Sequence, residues 1–124
     1  MSSPSLWITV SALLGAIGVV LGALGAHALE ARLTPERLAS WGTAVDYHLL
    51  HTVALLALAL FSAATGRSVA LPATLFTTGI VLFSGSIYLL VLTPAKWLGP
   101  VTPLGGLCLI AGWISLLALA AARS

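Results

Sequence analysis

No Asp, Glu, Lys or Arg occurs between Met1 and Leu29, and from Leu6 onward that run is apolar apart from Thr9, Ser11, His27 and glycines. About 20 apolar residues suffice to cross the hydrocarbon core of a bilayer. Three further uncharged runs follow, at 47–66, 69–92 and 101–122. Charged residues make up 6% of the chain, whereas a soluble domain carries roughly 25%. A chain with so few charges cannot cover a water-facing surface. The spans must be helical, because open strands leave backbone groups unpaired in lipid and these runs are too continuously apolar for barrel strands. The expectation is an all-α membrane protein: a single domain, residues 1–124, forming a four-transmembrane-helix bundle with short connections and spans near 6–29, 47–66, 69–92 and 101–122.

The punctuation between the runs supports this division. Thr34 reads as a helix N-cap, Pro35 as the first helical residue, and Glu36 as a first-turn acid favoured by the helix dipole. The second helix should therefore start near Pro35, with Glu36 to Asp46 riding in the interface and Trp41 as an anchor. Thr65-Gly66-Arg67-Ser68 is a short turn, and Thr93 to Pro100 is a Pro-rich connection in which Trp97 suits the interface. Ala26-His27-Ala28 has the small-x-small pattern of a cleavage site. No basic residue precedes the first run, however, and it exceeds the roughly 7–15 residues of a signal-peptide core. It is read as a retained helix. Four spans put both termini on one side, with Arg67 and Arg123. Arg32, Arg37 and Lys96 fall on the other. The two hairpins share no motif that would indicate a repeat.

Small residues recur at helical spacing. Ser11, Gly15, Gly18, Gly22 and Gly25 form one stripe in the first span, including a GxxxG step at Gly18 and Gly22. Gly105, Cys108, Gly112 and Ser115 form another in the fourth. Thr74, Thr78, Val81, Gly85 and Tyr88 line up in the third. Such stripes let helices approach closely in lipid. Gly15, Gly18, Gly22, Gly25, Gly85, Gly105 and Gly112 are the expected packing positions, with a dimer surface as the alternative use of one stripe.

The candidate chemistry is a short polar inventory: His27 at the end of span one, Asp46, Tyr47, His48 and His51 at the head of span two, and Ser84, Ser86 and Tyr88 in span three. Ionisable groups at membrane depth are functional hypotheses by default. Tyr47, His48 and His51 share a helix face, while Asp46 points about 140° from His51 and looks to Arg32 or Arg37 for a partner. Because the first connection is short, His27 is expected level with His48 and His51 near one membrane surface, with His27 and His51 on facing helices. The histidines His27, His51 and His48 could bind a transition metal, ligate a haem or pass protons. The competing reading is that each imidazole hydrogen-bonds a neighbouring helix. Cys108, the only cysteine, excludes an intrachain disulfide and a CxxC site. No nucleophile elbow, zincin motif or P-loop occurs. The five basic residues are scattered, which speaks against nucleic acid.

Several segments, in order along nearly the whole chain, resemble the YgdD-like family of small inner-membrane proteins of unknown function. They are Gly22 to Leu29 (GALGAHAL), Trp41 to Thr52 (WGTAVDYHLLHT), Leu82 to Tyr88 (LFSGSIY), Val101 to Gly106 (VTPLGG) and Ala111-Gly112-Trp113. The resemblance implies four spans and a bacterial inner-membrane or mitochondrial setting, and it implies no activity. Some members are basic in the second connection and at the C-terminus, which implies cytoplasmic termini. Here Arg67 and Arg123 hold those places. In the family pattern His27 and His51 look typical, whereas the position of His48 can be Gln.

No catalytic constellation, cofactor or enzyme activity is expected. The expected role is structural or accessory: a partner of the lipid bilayer that assembles with itself or as a subunit of a larger membrane complex. The alternatives are a histidine-based metal- or haem-binding protein and an oligomeric transporter or channel. The transporter reading is disfavoured because four short spans lack the paired polar interruptions of a midplane site.

Overall fold

The computed structural model describes residues 3–121. Four α-helices account for most of them: α1 (Ser3–Ala26), α2 (Pro35–Thr65), α3 (Ala70–Leu92) and α4 (Val101–Ala121), with a 3-10 turn at Lys96–Leu98. No strand occurs among the described residues. All four helices are long and apolar enough to cross a membrane. Arg123 and the end of the fourth expected span at Ala122 lie outside the described residues.

The caps explain where α2 begins and ends. The Thr34 hydroxyl accepts the Arg37 backbone N–H at 3.2 Å, and Pro35 opens the helix. At the other end Gly66 adopts φ +73°, a left-handed conformation natural to glycine, and donates its N–H to Ser62 O at 2.8 Å. The Ser62 hydroxyl donates to Arg67 O at 2.7 Å and tightens the turn. Two arginines satisfy carbonyls near the C-terminal ends of other helices, where positive charge is favoured. Arg37 donates to Val91 O of α3 at 3.2 Å, and Arg67 donates to Leu119 O of α4 at 2.5 Å. Arg37 is thus engaged on α3, and Asp46 lies exposed on α2.

The helices pack in chain order, α1 on α2, α2 on α3 and α3 on α4. The inner pair is α2 and α3, and α1 and α4 are the flanks. Apolar side chains form two clusters. One, toward the Gly66 turn, centres on Leu55, Val69, Ala73, Phe76 and Ile80. The other, toward the Thr34 end, centres on Trp41, Val45 and Val91. Trp41 is therefore no interface anchor: it is 2% exposed and donates its indole N–H to Leu21 O at 2.8 Å.

Glycines set two of the three packed pairs. On α1, a Cβ at Gly25 would stand 2.8 Å from the Trp41 indole nitrogen, and one at Gly18 3.2 Å from the His48 ring. Gly22 faces Val45, and Gly15 faces Thr52. On α4, a Cβ at Gly105 would run into the Phe83 backbone, and one at Gly112 into the Phe76 ring. The third-span stripe corrects the expectation. Nothing lies within 4 Å of a Cβ built on Gly85, and Thr74, Thr78 and Val81 are exposed. The α3 glycine that packs is Gly79, against Leu109. Bulky Phe76 and Phe83 fix which face of α3 meets α4, so a stripe chosen for small residues selects the wrong face.

Candidate functional site

Between the two apolar clusters lies a layer of polar side chains, and His48 and His51 are its centre. The α1–α2 register follows from Gly25 beside Trp41, Gly22 beside Val45 and Gly18 beside His48. His48 thus stands opposite the middle of α1. Its Nε2 lies 2.8 Å from Leu14 O, and its Nδ1 lies 2.8 Å from the Tyr88 hydroxyl. A carbonyl only accepts, so Nε2 carries the proton. In the neutral ring Nδ1 then accepts from Tyr88. Tyr88 is held in turn by the Trp41 ring, 4.8 Å away between centroids.

Gly18 is what makes the His48 bond possible. Cβ atoms on a helix tilt toward its N-terminus, so the residue at i+4 shields the carbonyl of residue i. Gly18 is four residues after Leu14 and leaves that carbonyl accessible to His48. Gly25 does the same for Leu21 O and Trp41. His48 and Trp41 are seven apart, as are Gly18 and Gly25. A donor over a bare glycine is thus used twice along one interface.

His51 serves the opposite flank. Its Nδ1 lies 2.8 Å from Tyr47 O within α2, and its Nε2 accepts the Trp113 indole N–H from α4 at 2.9 Å. Phe76 packs against both rings, tilted on His51 at 5.5 Å and edge-on to Trp113 at 5.1 Å. Here Nδ1 must carry the proton, so the two histidines hold opposite tautomers. The rest of the layer is also closed. The Ser84 hydroxyl donates to Ala44 O at 2.7 Å, Ser86 and Thr102 share a 2.5 Å hydrogen bond, and Thr52 donates to His48 O at 2.7 Å. Every buried side-chain nitrogen or oxygen among the described residues has a partner.

The shared His27–His51 site is corrected. His27 is exposed in the turn beyond α1, while His51 is 4% exposed and level with Gly15. Their separation along the axis is about twelve residues, roughly 18 Å at 1.5 Å per residue. The expectation took the start of the second span from the last charge, Asp46. Packing begins earlier, at Trp41, and carries the histidines deeper. Tyr47 is 45% exposed, with its ring against Phe83 at 4.8 Å and stacked toward His51 at 6.0 Å. Tyr47, His48 and His51 share a helix face only loosely: His48 joins α2 to α1 and α3, and His51 joins it to α4. Trp113, absent from the polar inventory, is the partner that completes His51.

The polar groups of the layer are spent on one another and on backbone carbonyls. Each buried imidazole has both nitrogens engaged, so metal ligation would break a bond. Among the described residues no group of three or more His, Cys, Asp or Glu is placed to hold a metal ion. A proton wire also stops at each ring, because the N–H of His48 and of His51 ends on a backbone carbonyl, which cannot pass a proton onward.

The chain matches the family model described as "Protein of unknown function (DUF423)" over residues 21–106. It is 40% identical over 112 residues to a UPF0382 membrane protein of Staphylococcus haemolyticus, covering 90% of this chain and 92% of the relative. It is 39% identical over 116 residues to the UPF0382 membrane protein YwdK of Bacillus subtilis, covering 92% and 94%. A UPF0382 membrane protein of Schizosaccharomyces pombe is 41% identical over 119 residues, covering 91% and 98%. No solved structure matches. With its four helices of membrane-spanning length and relatives named as membrane proteins across nearly their whole lengths, the chain belongs to the DUF423 family of UPF0382 membrane proteins.

Proposed function

We propose that this protein is a non-enzymatic structural or accessory protein of the inner membrane, acting by assembly with itself or with a larger membrane complex. The closer kinship with YgdD-like proteins, and cytoplasmic termini, belong to the same reading. One observation carries it: every buried polar side chain among the described residues is engaged inside the chain. Polar groups spent on one another in this way are what a packing role asks of a buried layer. The flanks α1 and α4 support the assembly part, since their outer faces carry exposed Leu13, Val19, Leu107 and Leu117. These face lipid or a partner helix.

The test is purification in mild detergent, followed by an absorbance spectrum, metal analysis and mass determination of the intact particle. The expected result is no visible chromophore, no stoichiometric metal, and a particle larger than one chain or containing a second protein. A stable monomer, or a bound haem or metal, would overturn the reading.

A further inference from the structure

A groove of about 450 Å³ runs between α2 and α4, below the His51–Trp113 bond. Ala54, Ala57 and Phe61 form one wall and Trp113 and Leu116 the other, with Phe76 of α3 behind. Among the described residues, the only charged one lining it is Arg67, at the end toward the Gly66 turn. We propose that this groove holds one acyl chain of an anionic phospholipid, with the lipid phosphate on Arg67.

Three observations select this occupant. The first is size. The groove extends from Ala54 to Phe61 along α2, about 10 Å at 1.5 Å per residue. This fits within one leaflet, whose hydrocarbon is about 15 Å deep, half of a typical core. The second is polarity. The inner end offers no free polar group, because the Trp113 N–H is already on His51. The surface end offers a guanidinium. A ligand that matches is apolar inward and anionic outward.

The third is how Arg67 is held. Its Nη2 donates to Leu119 O at 2.5 Å, and its Cζ stands 5.4 Å from the centre of the Phe61 ring. A guanidinium has five N–H donors, and its planar fork suits two phosphate oxygens. Fixed by α4 on one edge and by Phe61 on its face, it is positioned above the groove before a lipid arrives.

This site does not depend on the accessory reading: a bound haem or metal would overturn that reading and leave the groove as it is. The test is native mass spectrometry of the purified full chain with equal amounts of phosphatidylglycerol and phosphatidylcholine of matched acyl chains. The expected result is one retained phosphatidylglycerol per chain, preferred roughly five- to tenfold. Ala57 is exposed on the groove wall, so Ala57→Phe should fill the groove, leave the thermal melt in place and abolish retention of both lipids. Arg67→Gln should reduce phosphatidylglycerol to the phosphatidylcholine level, and Arg67→Lys should keep part of the preference. Equal retention of the two lipids by the wild type, unchanged retention by Ala57→Phe, or a second copy of the chain in place of lipid would overturn the proposal.

Discussion

An imidazole inside a hydrocarbon slab must give its N–H to an acceptor and, for full satisfaction, receive a donor at its other nitrogen. His48 does both through Leu14 O and Tyr88, and His51 does both through Tyr47 O and Trp113. If this is a holding role, the side chain matters for its two bonds and not for its basicity. Gln can donate to a carbonyl and accept from a hydroxyl. His48→Gln should therefore shift the thermal midpoint in detergent little, by less than about 1 kcal/mol, whereas His48→Leu leaves the Tyr88 hydroxyl unpaired and should cost about 1–3 kcal/mol. A role in metal binding or proton transfer reverses the outcome, because Gln would then fail as badly as Leu. Trp113→Phe keeps much of the ring packing but removes the donor to His51. Side-chain hydrogen bonds measured inside membranes average about 0.6 kcal/mol and reach about 1.7, so a loss in that range is expected by the same melt.

The α1–α2 and α3–α4 pairs depend on glycines that meet different obstacles, and the substitutions should rank accordingly. A Cβ at Gly105 meets the Phe83 backbone, which cannot turn aside, so Gly105→Ala should lower stability by about 1–3 kcal/mol or prevent folding. At Gly25 the obstacle is the Trp41 ring, so Gly25→Ala should displace it from Leu21 O and cost less. Gly85 meets nothing, and Gly85→Ala should be neutral or stabilise by up to about 1 kcal/mol through helix propensity. Equal effects at Gly85 and Gly105, measured by melts side by side, would contradict this packing. The elements were largely legible in the sequence. Thr34, Pro35 and Gly66 mark the ends of α2 through local chemistry, and the small stripes of α1 and α4 follow from helical spacing. The α3 face was not legible, because on that helix Phe76 and Phe83 make the contact, while Thr74, Thr78 and Val81 of the expected stripe face outward. Sequence spacing shows which residues share a face but not which face meets a neighbour.

At the scale of the whole molecule, four crossings place the Gly66 turn and both ends of the described chain on one side, and the Thr34 turn on the other. Reporter fusions at Arg67 and at the C-terminus should agree with each other and differ from one at Thr34; agreement of all three would contradict the topology. The depth of the polar layer was the illegible part of the site. Asp46 suggests that the membrane begins after it, yet the Trp41–Gly25 contact starts the packing earlier and sets His48 against mid-α1. Trp113 as a partner also needed three dimensions, since it lies sixty-two residues from His51 and on a flank helix. His48 and His51 lock the two flanks onto α2 inside a closed polar layer. The most direct test is nitrogen-15 NMR of the assigned imidazoles in the purified protein, because each tautomer reports the docking of one flank. Opposite neutral tautomers are expected, with the proton on Nε2 of His48 and on Nδ1 of His51. The same tautomer at both rings, or nitrogen signals shifted by a bound metal, would contradict it.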